Sequence, residues 1–201
     1  MGLPLSLATL KHWSLPLIIA ILALLVYWLA EPQSVALRYQ RDALQSGEWW
    51  RLWSGHWVHL GGIHLLLNLA GLALIWLLVG HAVSIWTWLW FIPINTLAIS
   101  LSMLMWLPDL AWYVGLSGLL HGMLLLGAVW IWRRGQSEGM WLLLLLLCKL
   151  GWELWQGGSP SSTAYLGGEV ISEAHLYGAL WAGLHALVLV AWQWWKQARR
   201  G

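Results

Sequence analysis

Long apolar stretches separated by short polar and charged clusters make up most of this chain. Six stand out, approximately His12 to Ala30, Trp57 to Gly80, Val83 to Met105, Val114 to Trp132, Met140 to Trp155 and Val170 to Trp195. A hydrocarbon core of roughly 30 Å takes about 20 helical residues to cross, so these stretches read as spanning helices, the fifth being short for a span. They leave no room for a soluble domain. The pattern predicts an all-α membrane protein, a single membrane domain of six helices over residues 1–201. The first stretch follows Lys11 as a secretory signal would, but it ends on Glu31 and Pro32 without a small-residue cleavage site, so it is read as a span.

Composition agrees. Hydrophobic residues make up 60% of the chain and charged residues 9%, with 21 Trp, and the mean hydropathy is +0.68. A soluble domain carries roughly a quarter charged residues, so lipid is the expected solvent. Charge sets the expected orientation. With six spans both ends share a side, which would hold Lys11, Arg133, Arg134, Lys196, Arg199 and Arg200, against Arg38, Arg41 and Arg51 opposite. The positive side faces the cytoplasm, so both termini are expected there. The single cysteine, Cys148, excludes an intrachain disulfide and is expected as a packed core residue.

Candidate chemistry lies in the polar residues that interrupt the apolar pattern. Ionisable and amide groups at membrane depth almost always face a bundle interior or a water-filled cavity, which makes each a functional candidate. His64 and Asn68 on the second stretch are four apart and share a helix face, with His59 nearer the outer mouth. The His59 to His64 spacing does not let two imidazoles on one helix share a zinc ion, so no metal site is expected and no cofactor is called for. His56 reads as interfacial, and His81 falls in a cytoplasmic turn. The loop from Glu31 to about Gly55 is rich in Trp and Arg, an amphipathic interfacial loop in which Trp50 and Arg51 are candidates for shaping access to a site. The third stretch, with Pro93 and Asn95, reads as a kinked structural helix.

The fourth stretch opens on YVGLSGLLHG, Tyr113 to Gly122. Ser117 stands between Gly115 and Gly118 where a loop turns into a helix, about 24 Å along that helix from Arg133. Unpaired N–H groups at a helix start favour a developing negative charge. His121 follows one turn later on the same face. Lys149 and Glu153 are four apart on the fifth stretch and are expected to neutralise one another. The segment QGGSPSSTAYLGG after them is a candidate movable cap. On the sixth stretch His175 precedes Lys196 by about 31 Å of helix, a depth comparable with Ser117. Gly178 and Ala182 form a small-xxx-small ridge, and close approach there would bring His175 within reach of Ser117. His185, deeper, is expected as a packing residue.

Trp50 and Arg51, the H-x4-H-x3-N of His59, His64 and Asn68, the G-x-S-G of Gly115, Ser117 and Gly118, and the A-H-x-x-G of Ala174, His175 and Gly178 together resemble the rhomboid intramembrane serine proteases. The resemblance extends over essentially the whole chain. More narrowly, YVGLSGLLHG, CKLGWE and EAHLYGALWAG look like rhombosortase, the bacterial rhomboid branch associated with proteins bearing a GlyGly-CTERM sorting tail. Two departures stand out: His121 occupies a position where many rhomboids carry tyrosine, and Ala182 one where a second glycine is often found.

The resemblance implies a serine-type intramembrane endopeptidase in the bacterial inner membrane. Ser117 would be the nucleophile and His175 its general base, a dyad with no evident acidic third member. The side chains of His64 and Asn68 and the Ser117 N–H would hold the oxyanion. His59, Gly115, Gly118, His121, Gly178, Trp50 and Arg51 would support the site or its cavity. The implied partners are transmembrane proteins with Gly-rich C-terminal sorting tails, together with membrane lipid. Two other readings are a silent rhomboid-like protein that binds membrane helices and a small transporter using the buried histidines. A missing dyad member would mark the first and repeated broken helices the second; neither is present.

Overall fold

The computed structural model describes residues 7–30, 34–156, 166 and 168–199. Six long helices follow one another: α1 (Leu7–Leu29), α4 (Gly62–Val79), α5 (Ile85–Trp106), α6 (Ser117–Arg133), α7 (Ser137–Trp155) and α8 (Ser172–Ala198). Between α1 and α4 lie two short helices, α2 (Arg41–Gln45) and α3 (Arg51–Ser54). By length and composition α1, α4, α5 and α8 are each apolar and long enough to cross a membrane. The other two are not counted in that set: α6 has only 17 residues, and α7 carries Glu138, Lys149 and Glu153.

Periodicity decides which side of each helix turns inward. On α1 Leu15, Pro16, Ile19 and Ala23 are buried, three and four apart, while Leu17, Ile18, Ile21 and Leu22 are exposed. On α4 the inward stripe is His64, Asn68, Leu72 and Trp76. The polar pair therefore sits on the same face that packs the core. On α7 the buried positions are Gly139, Leu146 and Leu150. Cys148 lies opposite them and is exposed beside Leu144, Leu145 and Leu147, which corrects its expected place in the core. That outward face is one lipid would cover.

Helix α6 stands in the middle, in contact with α4, α5, α7 and α8. Glycines let it come close to its neighbours. A Cβ on Gly118 would meet the Ala174 carbonyl oxygen at 2.8 Å, and one on Gly122 would meet the Gly178 oxygen at 2.8 Å. On α8, a Cβ at Gly178 would run into the Gly118 carbonyl. The expected ridge on α8 thus has a matching one on α6, and the backbones touch where side chains would separate them. Asn95 on α5 reinforces the contact by donating Nδ2–H to the Gly178 carbonyl at 3.1 Å.

The segment between α1 and α4 is more ordered than an amphipathic loop. A two-residue strand β1 (Tyr39–Gln40) pairs antiparallel with β2 (Trp112–Tyr113), Tyr39 opposite Tyr113 and Gln40 opposite Trp112. Arg41 then reaches the C-terminal end of α5, donating to the carbonyls of Met103, Leu104, Leu107 and Leu110 at 2.6–3.2 Å. Carbonyls at a helix end lack intrahelical partners, and a guanidinium there answers both their hydrogen bonding and the negative helix pole. Arg51 is buried and ties the segment to itself through the carbonyls of Val35 and Arg38 and the Glu48 carboxylate.

The second apolar stretch turns helical at Gly62, later than its expected start at Trp57. Gly55–Trp57 forms a single 3-10 turn, and Val58 and Gly61 are extended. His64 stabilises this entry by accepting the Leu60 N–H on Nδ1 at 3.2 Å.

Candidate active site

The segment from β2 into α6 places Ser117. Tyr113 donates its hydroxyl to the Gly115 carbonyl at 2.8 Å, and the Gly115 N–H reaches the Gly55 carbonyl at 3.2 Å. Gly115 has φ +130°, a backbone conformation that L side chains rarely adopt, so this turn needs glycine. Ser117 is the first residue of α6. Its N–H is one of the helix-start donors without an intrahelical acceptor.

Across the α6–α8 contact, His175 Nε2 lies 2.8 Å from Ser117 Oγ. The ring is buried and is held on one face and at both nitrogens. His121 stacks on it with centroids 4.1 Å apart and planes at 15°. The His121 Nδ1–H itself donates to the Ser117 carbonyl at 2.7 Å, so this histidine both stacks and hydrogen-bonds where tyrosine was the family expectation. On the far edge, His175 Nδ1–H donates to the Glu153 carboxylate, 3.1 Å from Oε1 and 3.0 Å from Oε2. Glu153 also pairs with Lys149 at 2.6 Å, as its spacing predicts. The expectation of a histidine without an acidic neighbour is therefore corrected: the carboxylate assigned to pairing with Lys149 serves both groups.

His64 approaches from α4. Because its Nδ1 accepts the Leu60 N–H, the neutral ring carries its proton on Nε2. A Cβ on Gly115 would sit 3.1 Å from His64 Nε2 and 3.9 Å from Ser117 Oγ, so the two polar atoms flank one glycine. Asn68 donates one Nδ2 hydrogen to the His64 carbonyl at 2.9 Å, leaving the amide a second. His59 lies before the helix, with its ring edge-on to His64 at 5.2 Å and its Nδ1–H on the Trp57 carbonyl at 3.1 Å.

His64, Asn68, Ser117, His121, Lys149 and His175 share one cavity of about 480 Å³ as its polar lining, whereas His59 and Glu153 lie behind that wall. The remaining wall is largely apolar, from α4, α6 and α7. Trp50 and Arg51 are not part of that lining. Trp50 is 53% exposed with its indole N–H toward the Ala36 carbonyl at 3.4 Å, and both residues act on the segment between α1 and α4. The candidate cap falls mostly on residues 157–165 and 167, outside the described residues.

His56, expected at the interface, is fully buried. Its Nε2–H is shared between the Thr96 carbonyl and Ser100 Oγ, both at 3.0 Å, and its ring meets Tyr113 edge-on. It is a structural link behind the Ser117 turn. His185 packs edge-on against Phe91, in keeping with its expected role.

A group of potential metal ligands other than His59 and His64 gathers here. His121, Glu153 and His175 offer ligand atoms within 4.8 Å of one another. Hydrogen bonds to Ser117, Lys149 and between the two partners already occupy His175 and Glu153. Sequence alone did not reveal the Glu153–His175 contact, because helical spacing pairs Glu153 with Lys149 and says nothing of how α7 is rotated toward α8. The only available signal was the presence of an ionisable residue in an apolar stretch.

The family model described as the rhomboid domain matches residues 46–192. No curated protein matches the chain.

Proposed function

The chain belongs to the rhomboid family, whose members are serine intramembrane proteases, and from that premise we propose that it is an active intramembrane endopeptidase with Ser117 as nucleophile and His175 as general base. The observation that carries this reading is the 2.8 Å contact between Ser117 Oγ and His175 Nε2 inside a polar-ended cavity. Serine is a weak nucleophile until an imidazole takes its proton, and the same imidazole then protonates the leaving amine.

Attack creates an oxyanion, and its stabilisation in a low-dielectric site is the largest single term. The donors assigned to it are the Ser117 N–H, His64 Nε2–H and the second Asn68 amide hydrogen. Gly115, Gly118 and Gly178 let these groups meet, His121 holds the catalytic imidazole by stacking, and His59 backs His64. Trp50 and Arg51 act at a distance by fixing the loop beside the site. The cavity gives water a place within the bundle that lipid could not provide.

We read the six long helices as six spans of one membrane domain in the bacterial inner membrane, with both termini cytoplasmic. The substrate is then another membrane helix, cleaved near the extracytoplasmic face. A helical peptide bond is hydrogen-bonded and covered, so the enzyme favours Gly-rich sequence, where unwinding is least costly. By its resemblance to rhombosortase, the proposed substrate is the GlyGly-CTERM sorting tail of exported proteins.

The test is cleavage of a reconstituted substrate carrying such a tail, with mass spectrometry of the new C-terminus. A product with a free carboxylate, absent with Ser117→Ala, supports hydrolysis. A tight, uncleaved complex with the folded wild type would make this a binding protein instead.

A further inference from the structure

We propose that Glu153 is a positioning residue for His175, so that the catalytic unit is the series Ser117, His175 and Glu153, with Lys149 anchoring its far end. This rests on the function proposed above and extends it, since neither spacing nor the family resemblance supplies an acidic third member.

The geometry is specific. Both carboxylate oxygens lie within 3.1 Å of His175 Nδ1, which an i, i+4 pair between Glu153 and Lys149 does not require. A carboxylate only accepts hydrogen bonds, so it fixes the proton of the neutral imidazole on Nδ1. That leaves the Nε2 lone pair facing the Ser117 hydroxyl at 2.8 Å.

During attack the Ser117 Oγ–H proton moves to Nε2, a bond forms between Oγ and the scissile carbonyl carbon, and the carbonyl π electrons move to oxygen. The imidazolium now carries a positive charge beside Glu153, which stabilises it without taking its proton. Collapse breaks the C–N bond, and the Nε2 proton leaves on the amine. Lys149, with a side chain 49% exposed, holds the carboxylate side chain, 14% exposed, at 2.6 Å and balances its charge between turnovers. His121 closes one face of the ring. His175 is thus constrained by a stack and by an acceptor at Nδ1 at once.

The experiment compares wild type, Glu153→Gln, Glu153→Asp, Ser117→Ala and His175→Ala in the same liposomes, reading fluorophosphonate labelling rate, kcat and KM for tail cleavage, and thermal unfolding. Glutamine keeps the shape but loses the charge. The expected result is a labelling rate and kcat lower by about 100-fold in Glu153→Gln, KM within about twofold, unchanged unfolding and partial recovery in Glu153→Asp. Wild-type kcat in Glu153→Gln, or losses that merely track the folded fraction, would overturn the proposal while leaving the Ser117–His175 reading intact. Unlabelled, folded wild type would overturn both.

Discussion

At the scale of single residues, the proposed chemistry depends on donors aimed at one point. His64 Nδ1 is occupied by the Leu60 N–H, which directs the ring's own proton through Nε2 toward the glycine beside Ser117. His64→Ala and Asn68→Ala are therefore expected to lower kcat by about 100-fold each, corresponding to about 3 kcal/mol in the barrier. Their KM values should change little, and steady-state cleavage assays separate the two parameters. An equal rise in KM with unchanged kcat would place these residues in substrate binding. His121→Tyr should retain most activity because the stack on His175 survives, whereas His121→Ala loses it along with the hydrogen bond to the Ser117 carbonyl. Pairs within one helix, such as His64 with Asn68 and Lys149 with Glu153, could be read from spacing alone. Contacts between helices, such as Glu153 with His175 or His56 with Ser100, depend on rotations that apolar periodicity leaves open when a helix is hydrophobic nearly all round.

At the scale of elements, the distance between α6 and α8 governs the site. The small residues Gly118, Gly122, Ala174 and Gly178 let the two backbones touch, and Ser117 and His175 each lie one residue from that seam. Gly178→Val would have to move α8, and this predicts loss of cleavage together with lower thermal stability of the purified protein. A variant with normal melting and normal activity would show that the seam tolerates a side chain. The six helices were legible because each is a long apolar run bounded by turn residues, and the ridge on α8 because Gly178 and Ala182 are four apart. The start of α4 was not. Residues 57–61 continue the apolar run with only His59 to interrupt it, and the hydrogen bond from Leu60 to His64 and the extended Gly61 show where winding begins. Arg41, which the sequence places only among the charges opposite the cytoplasmic side, caps the end of α5 with hydrogen bonds from its guanidinium to four carbonyls. Arg41→Met should lower thermal stability, with little effect on labelling of the protein that remains folded.

At the scale of the whole molecule, a belt of exposed apolar residues surrounds a buried polar centre, the reverse of what water would select. That arrangement suits lipid outside and a small aqueous cavity within. Orientation is testable because Cys148 is the single native cysteine and can be replaced by serine. In that background, Asp109→Cys should react with a membrane-impermeant maleimide added to the periplasmic side, and Gln136→Cys only after the membrane is opened. The reverse pattern would invert the proposed topology and put the Ser117 end of α6 at the cytoplasmic face. The claim on which everything else depends is that one hydroxyl in this chain is activated by one imidazole across the α6–α8 seam. It is tested most directly by fluorophosphonate labelling of the reconstituted protein, followed by peptide mapping. The expected result is a single adduct on Ser117 that disappears in His175→Ala although that variant remains folded. An adduct on another residue, or Ser117 labelling that persists without His175, would contradict it.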